Sequence, residues 1–358
     1  MTICLSLIVK NEAHVIKRCL DSVRPLIDCW CIVDTGSTDG TQSVIRDLMH
    51  DVPGDLFERQ WIDFAHNRTE ALALARDKAD YTLIIDADDL MVIPPDFKLP
   101  ELTADSYTVD FDFPPLHYRR VQLVRNTIKW RYRGVLHEFL EGDGARPHEH
   151  LPITIKVTND GARRQDPDKY RKDAATLEKA IQTERDPFML SRYTFYLAQS
   201  WRDCGEREKA LTEYLARSRM GFWQEEVYIS LLNAARIRQA LQRGRIIDTF
   251  LDAARAAPTR GEALHAAANL LRQASRFEEG YQAARRGVGL PVPADGLFVE
   301  PWVHEYGLLD ELAVNAYWAG HYRECVDACE VLLSEGKIAD RARVTMNLNF
   351  ARRKLLEG

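Results

Sequence analysis

Asp86, Ala87 and Asp88 end the apolar run "YTLII" (81–85), and apolar residues resume at Leu90. Charged side chains are almost never fully buried without a partner, and neighbouring carboxylates repel. If the run is a strand, alternation places Asp86 and Asp88 on one side of it. A divalent cation would relieve their repulsion, and hard oxygen ligands suit Mg or Mn. A cation held in this way can carry phosphate. Acidic turns after strands are common, so this motif gains meaning only from its company.

"VDTGSTDGT" (33–41) places a second acid, Asp34, at the end of an apolar run. A solvated turn with a helix cap at Ser37, Thr38 or Asp39 accounts for the glycines and threonines but leaves Asp34 unexplained. Its carboxylate suits the imide N–H of a uracil-like base. The segment is neither a dinucleotide fingerprint nor a phosphate loop, since neither glycine pattern occurs.

These residues need elements to position them. "ICLSLIV" (3–9) and "CWCIVD" (29–34) read as strands covered on both faces. Helical spacing follows each: Val15, Ile16, Cys19, Leu20 and Val23 after a cap at Asn11, then Val44, Ile45, Leu48 and Met49. "FAHNRTEALALARDKAD" gives another helix before the strand at 81–85. Such alternation builds a parallel sheet whose ligands gather at the carboxyl ends of the strands. Between 105 and 158 short strands dominate, predicting a mixed-sheet extension. "RRQDPDKY" (163–170) opens an all-helical remainder, with Asp166 and Pro167 suited to a helix start.

In that remainder small residues recur in paired helices: Ala198 with Ala210, Ala268 with Gly280, Ala313 with Cys325. The spacing is close to multiples of a tetratricopeptide period, with "PVPADGLFVEPW" as an insertion. The region resembles degenerate tetratricopeptide repeats. The expected domains are 1–162, catalytic, and 163–358, helical repeats.

"SLIVKNEAHVIKRCLDSV", "IVDTGSTDGT", "FAHNRTEALALA" and "LIIDADDLM", in this order, resemble the family 2 glycosyltransferases. The resemblance covers roughly residues 1–142. It implies a GT-A nucleotide-diphospho-sugar transferase fold, an α/β domain with a Rossmann-like mixed sheet. It also implies an inverting hexosyl-type transfer from a UDP-sugar, with Mn or Mg on the diphosphate. Carried over by residue, Glu12 and Asp34 hold base and ribose, and Arg68 reaches base or phosphates. Asp86 faces the ribose, and Asp88 binds the metal. In "GVLHEFLE" (134–141), His137 becomes a further metal or diphosphate contact and Glu138 the general base. Asp110 and Asp112 in "VDFDF" are alternative bases. "YRRVQLVRNTIKWRYR" (118–133) reads mostly as exposed strand, with one or two cations for the diphosphate or an anionic acceptor. "RPHEHLP" (146–152) reads as a solvated loop.

The bulk composition is that of an ordinary globular protein. Of 358 residues, 46% are hydrophobic and 28% charged, which suits two domains. A net charge of -6 argues against a nucleic-acid partner. Seven cysteines without a CxxC pair point to reduced thiols and a cytoplasmic setting. No apolar run reaches membrane-span length. The expected partners are a nucleotide-sugar donor, a peptide, protein or glycan acceptor, and a second copy through the helical repeats. The rival reading is a catalytically silent scaffold that senses nucleotide while its repeats bind proteins. A nucleotidyltransferase would want a glycine-rich loop with lysine near the N-terminus, which "SLIVKNEAH" lacks.

Overall fold

A computed structural model describes residues 1–114, 116–158, 160–294 and 296–357. The chain forms two compact units, 1–182 and 183–358. In the first, β1 (Ile3–Val9), α1 (Ile16–Val23), β2 (Cys29–Asp34) and α2 (Thr41–Leu48) alternate as the apolar patterns predict. β3 (Gly54–Glu58), α3 (Phe64–Ala75) and β4 (Tyr81–Ile84) continue the alternation. The short-strand region supplies β5 (Leu90–Val92), β6 (Ser106–Phe113), β7 (Leu116–Arg125), β8 (Trp130–Arg133), β9 (Phe139–Gly142) and β10 (Glu149–Lys156). α4 (Lys169–Thr183) follows a short 3-10 turn at Ala162–Gln165.

Eight strands form one mixed sheet in the order β3-β2-β1-β4-β7-β6-β10-β5, and β8 and β9 form a separate ribbon. β2, β1 and β4 run parallel, and β7 runs antiparallel to both β4 and β6. β6 therefore points the same way as β4, and so does β10, its parallel neighbour. The consequence is chemical: the ends of β1, β2, β4, β6 and β10 all lie along one edge.

The main core packs α1 and α2 against one sheet face, with Leu5, Leu7, Ile16, Leu20, Ile32, Leu83 and Phe111 buried together. Leu72 of α3, Ile84, Val124 and Tyr132 of β8 form a second cluster. This cluster anchors the ribbon and the helix that carries Arg68. No disulfide joins the seven cysteines, five of which are buried.

The second unit is all helical: α5 (Pro187–Asp203), α6 (Arg207–Arg217), α7 (Gln224–Ala240), α8 (Ile246–Ala256), α9 (Glu262–Gln273), α10 (Phe277–Gly287), α11 (Leu308–Ala319), α12 (Tyr322–Glu335) and α13 (Arg341–Glu357). The small residues sit where helices approach: Ala198, Ala210, Ala268, Ala313 and Cys325 are all buried. A Cβ on Gly280 would lie 2.1 Å from Asn315 Oδ1, so α10 meets α11 closely only because that Cβ is missing. No helix of the described residues is long and apolar enough to cross a membrane.

Candidate active site

The loops after β1 and β2 are laced together. Asn11, at φ 58, accepts from the Thr38 N–H at 2.8 Å and donates its own N–H to Ser37 Oγ at 2.9 Å. It is therefore a loop clasp and not the cap of α1, which begins at Ile16. The Glu12 N–H donates to Thr41 Oγ1 at 3.0 Å. Asp34 is fully buried at the end of β2. Its Oδ1 accepts from the N–H groups of Gly36 and Ser37, both at 2.8 Å, whereas its buried Oδ2 has no hydrogen-bond partner among the described residues.

The Asp86–Asp89 stretch departs from the extended geometry that the sequence suggested. β4 ends at Ile84, and the Asp89 N–H donates to the Asp86 carbonyl at 3.1 Å, closing a turn. Strand alternation does not apply there. Asp89, which strand alternation would have turned to the opposite face, is buried and joins the same cluster. Its carboxyl is pushed up to about 8 by burial and then by the charges of Asp86 and Asp88. Asp88 is also raised, by burial and then by Asp86. Glu12 rises to about 7, by burial first and then by Asp88, although the Ala162 N–H donates to it at 3.2 Å.

Arg68 is the main counter-charge. Asp63 caps α3 by accepting from the His66 N–H at 2.7 Å. Buried Asn67 accepts from the Ile62 N–H and donates to the Gln60 carbonyl, fixing the helix entry. Arg68 then projects between the Phe64 and Tyr132 rings, with its guanidinium carbon 5.9 and 5.7 Å from their centroids. Its Nη2 donates to Asp86 Oδ1 at 2.5 Å. Its Nε lies 2.8 Å from Glu138 Oε1 but off the N–H axis, so that contact is an ion pair without a formed hydrogen bond. Burial opposes the ionisation of Asp86, yet Arg68, with Arg120 and Arg164 beyond it, holds the carboxyl below its usual range.

Thus Glu12, Arg68, Asp86, Asp88 and Glu138 are linked in one region at the carboxyl edge, with Asp34 in the adjoining loop. His137, next to Glu138, is exposed at φ 51. Asp112 is placed differently. It ion-pairs with His117 at 3.2 Å on the β6–β7 hairpin. Alternation turns it away from the face on which Phe111 and Tyr118 stack.

The segment after β10 also belongs to this edge. Arg18 binds the Asp160 carboxylate, the Asp88 carbonyl and Thr158 Oγ1, each at 2.5 Å. His14 Nε2 lies 2.8 Å from the Asp160 carbonyl. A Cβ on Gly161 would fall 2.3 Å from Asp88 Oδ2, so the strap lies directly on that carboxylate. Arg164 acts electrostatically on Asp86, Asp88 and Asp89. The sequence reading missed Arg18, Asp89, Gly161 and Arg164. The only available signal was an Arg-Arg pair in a stretch that read as a domain boundary.

The family model for Glycosyl transferase family 2 matches residues 5–159. The first unit carries a family 2 glycosyltransferase domain. A TPR repeat-containing protein of Synechococcus elongatus is 33% identical over 92 residues, which cover 25% of this chain and 21% of that protein. The chain thus spans about a fifth of that relative. Among solved structures, S. aureus TarS 1-349 with UDP-GlcNAc is 11% identical, covering 67% of this chain and 83% of that one at a TM-score of 0.36. A tetratricopeptide repeat protein from Parabacteroides merdae is 17% identical, covering 53% and 71% at a TM-score of 0.36.

Among the described residues, no three His, Cys, Asp or Glu side chains are disposed to hold a metal ion unaided. The donors fit a hard divalent cation: burial and mutual repulsion already disfavour ionisation of Asp88 and Asp89, as expected of acids short of positive charge.

Proposed function

We propose that the protein transfers a sugar, with inversion, from a UDP-sugar to an acceptor hydroxyl. The observation that carries this reading is the Asp86–Arg68–Glu138 chain. It joins the acids at the strand ends to a carboxylate lining a separate cavity of about 440 Å³. Asp34 Oδ2, buried and unmatched, is the acceptor for the uracil imide N–H, and Glu12 and Asp86 serve the ribose. Asp88 and His137 would hold Mn or Mg, which supplies charge that stabilises the leaving diphosphate.

Glu138 takes the proton of the acceptor hydroxyl as its oxygen bonds to the sugar's anomeric carbon. The carbon–phosphate-oxygen bond breaks, and UDP leaves with the electron pair. Asp112 is not among the residues lining that cavity, so Glu138 is the better base. Arg68 orients Glu138 and Asp86 and acts as a positioning residue. We assign acceptor or subunit binding to the helical repeats, as such arrays commonly bind chains.

Melting temperatures with UDP and CDP, each with and without Mn, test the donor half, because ligands that bind only the native state raise it. UDP should shift melting more than CDP, Mn should enlarge the shift, and Asp34→Asn should erase the preference. Equal shifts for UDP and CDP would remove Asp34 from its role. An Mn-independent UDP shift would end the metal-dependent mechanism.

A further inference from the structure

We infer that the exposed ring of Tyr118 is the platform on which the sugar ring of the donor stacks. This rests on the glycosyltransferase reading above and makes Tyr118 a positioning residue for it.

The sheet brings Tyr118 to the acids. Leu83 pairs with Leu123, and β4 leaves the sheet after Ile84, whereas its antiparallel neighbour β7 runs on to Leu116. The part of β7 that holds Tyr118 and Arg120 therefore borders the Asp86–Asp89 turn. Register across the β6–β7 hairpin pairs Phe111 with Tyr118 and Val109 with Arg120, so these side chains share one face, and alternation adds Phe113. Arg120, Asp89, Asp86 and Arg164 all act electrostatically on the Tyr118 phenol, in keeping with that placement.

The ring is held on one side and open on the other. Phe111, 2% exposed, stacks on it with centroids 5.1 Å apart and planes 16° from parallel. Tyr118 itself is 44% exposed. The Arg120 guanidinium carbon lies 6.0 Å from the Phe111 centroid, and that of Arg164, in the strap, lies 5.3 Å from the Phe113 centroid. The open ring thus has the acid turn on its β4 side and the strap's guanidinium over a neighbouring aromatic.

Strand order across this edge matches the order of groups in a nucleotide-sugar. The sheet runs β2-β1-β4-β7, with Asp34 ending β2, Asp86 and Asp88 following β4, and Tyr118 on β7. With the base on Asp34 and the diphosphate at Asp88, the next group along the donor, its sugar, falls toward β7. Three strand spacings make roughly 14 Å, a distance that an extended nucleotide-sugar spans. The C–H bonds on one face of a pyranose carry slight positive charge and an aromatic face is negative, so the two attract as both leave water. Because Phe111 already fixes the ring, little side-chain freedom is lost on binding.

Calorimetry on the full chain with Mn tests this, using UDP, UDP-glucose, UDP-galactose and UDP-N-acetylglucosamine as probes. Tyr118→Leu should weaken at least one of the three nucleotide-sugars by about threefold to tenfold, the scale of an aromatic stacking contact, and leave UDP unchanged. Tyr118→Phe, which keeps the ring, should bind as the wild type does. The second arm adds the methyl glycosides of the same sugars to the chain saturated with UDP and Mn.

Equal losses for UDP and the nucleotide-sugars, or no loss for any of them, would overturn the inference. So would a Tyr118→Phe variant as weak as Tyr118→Leu. A loss confined to the methyl glycosides would give the ring to the acceptor and overturn the donor assignment. If the wild type fails to bind UDP at all, the underlying donor reading falls, and this inference with it.

Discussion

Replacing Arg68 with methionine removes the charge on which the centre of the site depends while keeping an unbranched apolar stem. The Arg68 and Glu138 side chains are 10% and 9% exposed, so solvent screens their attraction little. Asp86 is 36% exposed, and its share is discounted to roughly 0–1 kcal/mol, as for a surface pair. Removing one partner of a buried pair costs about 3–5 kcal/mol, because the other charge is left uncompensated. The expected loss at pH 7 is therefore about 3–5 kcal/mol, most of it from Glu138.

The pH dependence has a definite sign. Asp86 has a depressed carboxyl, so its pairing stabilises the fold above its unfolded value and that stability disappears as pH falls through the folded value. The gap between wild type and Arg68→Met should thus be as wide near pH 4 as near pH 7 and shrink only below the usual carboxylate range, so pH 7 and about pH 2 are the two values to compare. Urea unfolding at both pH values measures it, with the first unit's transition resolved separately. Adding Glu138→Gln to Arg68→Met should recover much of the loss, since no buried charge is then stranded. A loss under about 1 kcal/mol, no pH dependence, or no recovery in the double variant would refute the reasoning.

Gly161 has an ordinary φ of -62, so Gly161→Ala carries no backbone penalty. Its new Cβ would displace the Asp88 carboxylate, and the Mn enhancement of UDP binding in calorimetry should drop about tenfold, or about 1.4 kcal/mol, with little change in melting. Asp89→Asn should raise melting by a few degrees at pH 8 and not at pH 4. The raised Asp89 carboxyl favours the folded state only while protonated, and this advantage fades as pH climbs from its unfolded value through about 8. A chain ending at Gln182, the limit of the first unit, should keep UDP binding by calorimetry and lose acceptor transfer or self-association. Retention of both, by turnover and by mass in solution, would make the helical unit dispensable.

The strand–helix alternation of the first half was legible because each element carries a complete periodic signal: "CWCIVD" is buried almost throughout, and Ile16, Cys19, Leu20 and Val23 all face the core. The small residues of the helical half were legible for a related reason, since a contact as close as Gly280 against Asn315 tolerates few side chains. The local geometry of Asp86–Asp89 was not. Extended and turned backbones accept the same D-A-D-D sequence, and the choice rests on one hydrogen bond from Asp89 to Asp86.

Arg164 and Gly161 were hidden by a different cause. They reach the acids only because β10 runs parallel to β6, and strand direction is a tertiary property without a local signature. A β10 in the opposite sense would have delivered Thr158 to Arg164 to the far edge of the sheet. The same composition would then have been the boundary segment it resembles. The strap's contribution therefore depends on sheet topology, and Arg18 connects the two: one guanidinium holds both the Asp88 carbonyl and the Asp160 carboxylate. Any change that loosens the strap should thus reach Asp88 through the backbone as well as through charge.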